Sequence, residues 1–144
     1  MANRGEVIAE ARTWIGTPYR HQASRQGLGA DCLGLIRGVW RNCIGPEPEG
    51  LPAYSPDWLD LRTDDPLLAA AQRHFREVPL SAARPADLLL FRMALGAPAK
   101  HCAIVASDEA IIHAYWGKSV TETRLVPWWQ RRIVAAFQFP DIED

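Results

Sequence analysis

Hydrophobic positions divide the chain into a helical first half and a strand-like second half. Val7, Ile8, Ala11, Trp14 and Ile15 recur at the spacing of one helix face, which predicts a first helix opening at Asn3 with Glu6 as its capping-box partner. "GTPY" ends that helix, because Pro18 forces extended chain before it. A glycine-bearing loop from Arg20 to Ala30 leads to Asp31, a good N-cap for a second helix. There Cys32, Ile36, Val39 and Cys43 fall on one face, Leu33, Leu35 and Trp40 widen the stripe, and Gly45–Pro46 stops it. Residues Gly45 to Asp57 hold four prolines and read as an extended surface loop. Asp64 or Asp65 then caps a third helix, "PLLAAAQRHF", with Pro66 in its first turn.

Beyond this point the period shortens to that of strands. Asp87–Arg92, Lys100–Ala106, Ala110–Tyr115 and Val120–Leu125 are the candidates, followed by "PWWQRR" as a turn or short helix and "IVAAFQF" as a final strand. Helices first and antiparallel strands after is an α+β arrangement, with a helical layer against one mainly antiparallel sheet.

Composition narrows the classes. With 144 residues and 48% apolar content the chain fits one domain spanning 1–144 with a proper core. A formal net charge of −1, with scattered charges, gives no footprint for nucleic acid or acidic lipid. No run approaches the roughly 20 apolar residues of a membrane span, so membrane insertion is not expected. The N-terminus lacks the apolar stretch of a secretion signal, which predicts synthesis in the cytoplasm. The three cysteines, at 32, 43 and 102, form no metal-site spacing, and no metal or cofactor is implied. Cys32 and Cys43 share a helix face but lie about 16 Å apart along it, too far to bridge.

Cys32 is ambiguous on its own: it either fills space under the sheet or attacks a carbonyl. A thiol in the first turn of a helix feels the positive dipole end, which favours thiolate, and the unpaired N–H groups there suit an oxyanion. Such a nucleophile needs a base, and the base needs an orienting group. Of four histidines, His74 reads as a solvated residue on the third helix, whereas His101 and His113 lie on neighbouring strands. They share a face only if Ala103 stands opposite His113, which asks for an odd-length loop over 107–109 or 106–110. A two-residue turn at Asp108–Glu109 would put them on opposite faces. Cys102 alternates away from His101 and is expected to be inert in the core.

Four blocks together, "GTPYRHQASRQGLGADCLGLIRGVW", "RPADLLLF", "KHCAIVA" and "AIIHAY", resemble the NlpC-type peptidases, papain-like cysteine endopeptidases that cut peptidoglycan stem peptides. The resemblance runs from Trp14 to Tyr115. The "TPYRHQ" and "DCLGL" forms are similar to the branch found in phage tails and gene transfer agents. It implies a papain-like fold with Cys32 as nucleophile, His101 as general base and later acid, and His113 orienting His101. It implies Tyr19 beside the substrate and Asp31 near the site that takes the stem peptide's amino end. His21 either binds substrate or stabilises its loop, and Asp87 carries no chemistry. Leu33 stands where many members have serine, and His21–Gln22 where many have "WGG". Ala86 replaces a usual glycine, which is tolerable if its φ is negative.

The partners this implies are peptidoglycan stem peptides and the proteins of a phage-like tail or baseplate, with action at the cell wall or periplasm. Trp58, Trp116, Trp128 and Trp129 are candidate docking residues or caps on the core, and Pro46–Asp57 a candidate docking loop. Three rival readings stand beside the peptidase: an amidase or acyltransferase using the same thiol, a catalytically silent tail or wall-binding module, and a thiol redox sensor. The last is disfavoured because no resolving cysteine is expected near Cys32.

Overall fold

In a computed structural model, residues 1–48 and 65–144 are described. The first helix, α1, spans Arg4–Arg12; Asn3 caps it by accepting from the Glu6 N–H at 2.9 Å. Its buried face carries Val7 and Ala11, and Trp14 follows it into the core. The loop beyond contains a short hairpin, β1 (Ser24–Arg25) and β2 (Gly29–Ala30), that the hydrophobic pattern does not announce. The second helix, α2, spans Cys32–Cys43 and buries Leu35, Ile36, Val39 and Trp40. Full burial of each such aliphatic side chain contributes roughly 1.5–3 kcal/mol. Gly38 is what lets Trp14 pack there: a Cβ at residue 38 would lie 2.0 Å from the indole.

The third helix, α3, runs Pro66–His74 with Asp65 as its cap. Asp65 also accepts from the Ala99 N–H, tying the helix start to the sheet. Asp64, Trp58 and the loop from residue 49 onward lie outside the described residues. His74 is half-buried rather than solvated, because α3 turns that face toward the domain.

The sheet has six strands: β3 (Arg76–Val78), β4 (Leu88–Arg92), β5 (Ala99–Ser107), β6 (Ala110–His113), β7 (Thr121–Arg124) and β8 (Ile133–Gln138). Their order is β3-β8-β4-β5-β6-β7, and every neighbouring pair is antiparallel. A single helical turn, α4 (Pro127–Gln130), stands before the last strand. Five strands and α4 match the expected segments; β3 is too short and polar to be read from its residues. One face of the sheet, with Leu88, Leu90, Cys102, Ile104, Ile112 and Phe137, packs under the helices. The other, with Leu89, Phe91, Ala103, Val105 and Ile111, is covered by smaller pieces that include Tyr115, Leu125 and Trp129. Among the described residues no helix is long and apolar enough to cross a membrane.

Ala86 departs from the expectation of a negative φ. It sits at φ 80°, fully buried, with its N–H on the Val105 carbonyl at 2.8 Å. The turn into β4 demands the left-handed conformation, and the hydrogen bond holds the alanine in it. Next to it, buried Asp87 accepts from Arg4 at 2.7 Å and from the Arg84 N–H at 2.9 Å, which fixes the strand start to α1.

Candidate active site

Asp31 anchors the head of α2. One carboxylate oxygen accepts from the Gly34 N–H at 2.7 Å, and the other from the Gln22 N–H at 2.6 Å. The same side chain thus caps the helix and pins the loop in front of it. Gly34 permits this closeness, since a Cβ there would lie 1.8 Å from the Ala23 carbonyl oxygen. His21 stands on the outer side of Asp31, Nδ1 to carboxylate 3.9 Å, with its side chain about one-third exposed (35%). Leu33, expected near the substrate groove, is half-buried and packs against the helix-side core.

Cys32 occupies the first residue of α2 and is 9% exposed. Cys102 and His101 are the neighbours that act on its ionisation, and its sulfur lies 3.9 Å from the Lys100 carbonyl. Cys102 is the largest influence on its ionisation: donation from that thiol favours the charged form. Burial opposes, the His101 hydrogen bond and charge favour thiolate again, and the Asp31 charge opposes; the net result is a pKa well below that of an ordinary thiol. The other two thiols go the opposite way. Cys43 is pushed up to about 11 by burial and by Glu10 and Glu6. Cys102 is raised strongly, first by its bond to Cys32 and then by burial.

The expectation that no second cysteine lies near Cys32 is therefore wrong. Strand alternation does send Cys102 away from His101 and into the helix-side core, but the head of α2 rests on that same side of the sheet. Cys32 reaches both groups at the start of β5, where the pairing with β4 slips one residue at Lys100.

His101 and His113 share a face, and the hairpin achieves it differently from expectation. The connection is the two-residue turn Asp108–Glu109, which alone would separate them. A bulge at Ala106 restores the match: Ser107 pairs with Ala110, but Val105 pairs with Ile111 and Ile104 with Ile112. One extra residue in β5 returns every side chain beyond it to the other phase. His101 Nε2 then lies 2.8 Å from His113 Nδ1.

His113 is 2% exposed, and its Nε2 sits 2.9 Å from the Thr123 hydroxyl on β7. Burial first, and the charge on His101 second, depress the His113 pKa to about 3, so this ring is neutral at working pH. With Thr123 accepting from Nε2–H, His113 Nδ1 accepts from His101 Nε2–H. That leaves Nδ1 of His101 for the Cys32 sulfur, where it carries the proton when the thiol is ionised. Thr123 was not singled out from the sequence; the only signal for it is its place on the strand paired with β6, two residues past the partner of His113.

Aromatic rings close around the pair. Trp129 stacks on His101 with centroids 5.0 Å apart and 29° between planes, and meets His113 edge-on at 5.1 Å. Phe91 and Tyr115 flank His101 at 5.5 and 5.7 Å. Trp129 thus belongs to the site rather than to an outer surface, whereas Trp116 and Trp128 are exposed. Trp116 meets Tyr19 edge-on at 6.4 Å on the other rim. Burial, then the negative charges of Asp31 and Cys32, push the Tyr19 phenol up to about 12, so it remains a hydrogen-bond donor beside the thiolate. Among the described residues no group of His, Cys, Asp and Glu has the arrangement of a metal site.

This arrangement can do nucleophilic acyl transfer. A thiolate is held at a helix N-terminus, whose first N–H groups have no partner inside the helix and suit an oxyanion. A histidine that acts on that thiol is oriented by a second histidine, which is itself held by a hydroxyl.

Comparison with known proteins bears on the family and the fold. A family model described as the NlpC/P60 family matches residues 16–138. No curated protein matches the chain significantly. Among solved structures, the NlpC/p60 domain of the peptidoglycan hydrolase SagA superposes with a TM-score of 0.69 at 26% identity, covering 96% of this chain and 100% of that one. An NlpC/P60 family protein from Bacillus cereus gives 0.70 at 21% identity over 94% of this chain and 40% of that one. RipD from Mycobacterium tuberculosis, a non-catalytic NlpC/p60 domain protein adapted to peptidoglycan binding, gives 0.61 at 16% identity, covering 95% and 96%. The last two likenesses speak to fold alone.

Proposed function

The chain belongs to the NlpC/P60 family, and from that premise we propose that it is a cysteine peptidase cutting peptidoglycan stem peptides through an acyl-enzyme on Cys32. The observation that carries this reading is the series His101–His113–Thr123, joined by hydrogen bonds, with His101 acting on the ionisation of the Cys32 thiol. The family fold also hosts a non-catalytic binder, so fold alone does not choose between cutting and holding. A complete nucleophile, base and orienting group favours cutting.

The steps follow from the geometry. The Cys32 thiolate attacks the scissile carbonyl carbon, and the oxygen gathers negative charge against the N–H groups at the head of α2. His101 gives its proton to the leaving amine as the C–N bond breaks, leaving a thioester on Cys32. A water then loses a proton to His101 and attacks the thioester, and Cys32 leaves as thiolate, which releases the new carboxyl end and restores the starting pair. His113 holds the His101 ring in line for both transfers. Tyr19 donates toward the substrate side of the thiol, and Asp31 supports the loop that frames it.

On the family resemblance, the bond cut is D-glutamyl–diaminopimelate or a neighbouring stem-peptide bond. The "TPYRHQ" and "DCLGL" forms support delivery to the wall as part of a phage-like tail; antibody labelling of purified particles tests that placement. The activity is tested by digesting purified peptidoglycan with the wild type and with Cys32→Ala and identifying the fragments by mass spectrometry. New amino and carboxyl ends within stem peptides from the wild type alone are expected. Equal release by both proteins would sink the assignment.

A further inference from the structure

Trp129 has more ring neighbours than any residue around the pair. It touches His101, His113, Phe91, Tyr115 and Trp128, all with centroids between 4.8 and 5.2 Å. The position has a built support. Pro127 opens α4, the Trp129 N–H bonds to the Val126 carbonyl at 2.9 Å, and the Arg132 N–H bonds back to the Trp129 carbonyl at 2.9 Å. The guanidinium of Arg132 lies 3.7 Å over the neighbouring Trp128 ring, so the outer indole takes that cation. The inner indole stacks on His101.

We propose that Trp129 is a positioning residue that holds the Cys32–His101 ion pair together, by laying its ring face on the His101 imidazolium and covering the His101–His113 hydrogen bond. The electron-rich face of an indole attracts a cation, more strongly than a phenyl ring does. Its stacked orientation, 29° from coplanar, puts that face and not its edge against His101. Its perpendicular contact with His113, centroids 5.1 Å apart, sets the same indole against the second imidazole of the hydrogen-bonded pair. Phe91 and Tyr115 also touch His101, and Trp129 reaches both imidazoles. The inference rests on Cys32 and His101 being nucleophile and base. Other groups facing the pair are Asp31, Tyr19 and Cys102 around the sulfur, and His113 and Tyr115 around the imidazole, with Arg132 beyond Tyr115.

The experiment is the pH dependence of iodoacetamide alkylation of Cys32, read on its peptide by mass spectrometry, in the wild type, Trp129→Leu and Trp129→Phe. The wild type should alkylate with an acid limb well below that of an ordinary thiol. In Trp129→Leu the limb should move up by about half a unit to one unit, the worth of a partly desolvated cation–π contact. Trp129→Phe keeps a weaker face and should move it by less than half as much, with melting temperatures confirming that the variants fold. An unmoved limb in folded Trp129→Leu overturns the role of Trp129. So does a downward shift, which is the sign of water simply reaching the ions, and so do equal shifts in both variants. If Trp129→Leu fails to fold, Trp129→Phe decides alone: an upward shift supports the role and none overturns it. A wild-type limb at the ordinary thiol range would instead bring down the nucleophile assignment and the Trp129 role with it.

Discussion

His101 Nε2 and His113 Nδ1 stand 2.8 Å apart because β5 carries one residue more than β6 at Ala106. Two rings on adjacent strands then meet face-to-edge, 67° between planes, in a position where each restricts the other. In the proposed mechanism His101 takes the Cys32 proton and delivers it to an amine, and such a base gains from restriction, since misorientation costs the chemical step rather than binding. His113→Ala is expected to lower kcat/KM on stem peptides by about 10²–10⁴, with KM little changed. Steady-state kinetics on a soluble stem peptide checks this. Thr123→Val, which removes only the outer hydroxyl, should cost about tenfold by the same measurement.

Acidification should loosen the fold through His113. Its folded pKa of about 3 lies below the ordinary 6.5 of an imidazole. Between those values the unfolded chain binds a proton that the folded chain excludes, so stability rises with pH across that window. The contribution is fully present above about pH 6.5 and is lost as pH falls toward 3, at up to about 1.4 kcal/mol per unit. Urea unfolding at pH 7, 5.5 and 4.5 measures the slope, and His113→Gln should flatten it.

Cys102 should matter to the nucleophile without being one. Cys102 is the largest influence that favours the Cys32 thiolate, so Cys102→Ala should raise the Cys32 pKa and slow its alkylation at pH 6. Absorbance of the thiolate at acidic to neutral pH follows the change directly. An unaltered titration in Cys102→Ala would show that the His101 contact alone sets the ionisation.

Ala86 offers a gain in stability. A non-glycine residue at φ 80° carries about 1–2 kcal/mol of strain, part of which returns as unfolded-chain entropy when glycine replaces it. Ala86→Gly should stabilise the fold by about 0.5–1 kcal/mol in urea unfolding, with the peptidase activity unchanged. The reverse kind of change, Gly38→Ala, drives a methyl into Trp14 and should cost about 1–3 kcal/mol.

The helices and the main strands were legible because their signals are local. Asn3, Asp31 and Asp65 cap where their side chains suggest, and Leu88–Arg92 and Ala99–Ser107 carry apolar patterns that only a sheet can bury. What stayed hidden depends on contacts between elements. The bulge at Ala106 has no residue signature, so turn length alone points to the wrong register. Cys102 is one residue from His101, yet its approach to Cys32 follows from how α2 sits on the sheet. Trp129 and Thr123 enter the site from segments that read as a turn and a polar edge strand.

The proposed nucleophile and base are tethered to different layers of the molecule. Cys32 belongs to the large core between helices and sheet, whereas the neighbours of His101 belong to the smaller layer on the far face. The sheet is the partition between them, and the working distance is a joint across it. Warming that slackens the thinner layer disarms the pair while the helices still hold, so hydrolysis should fade on a temperature ramp before circular dichroism registers unfolding.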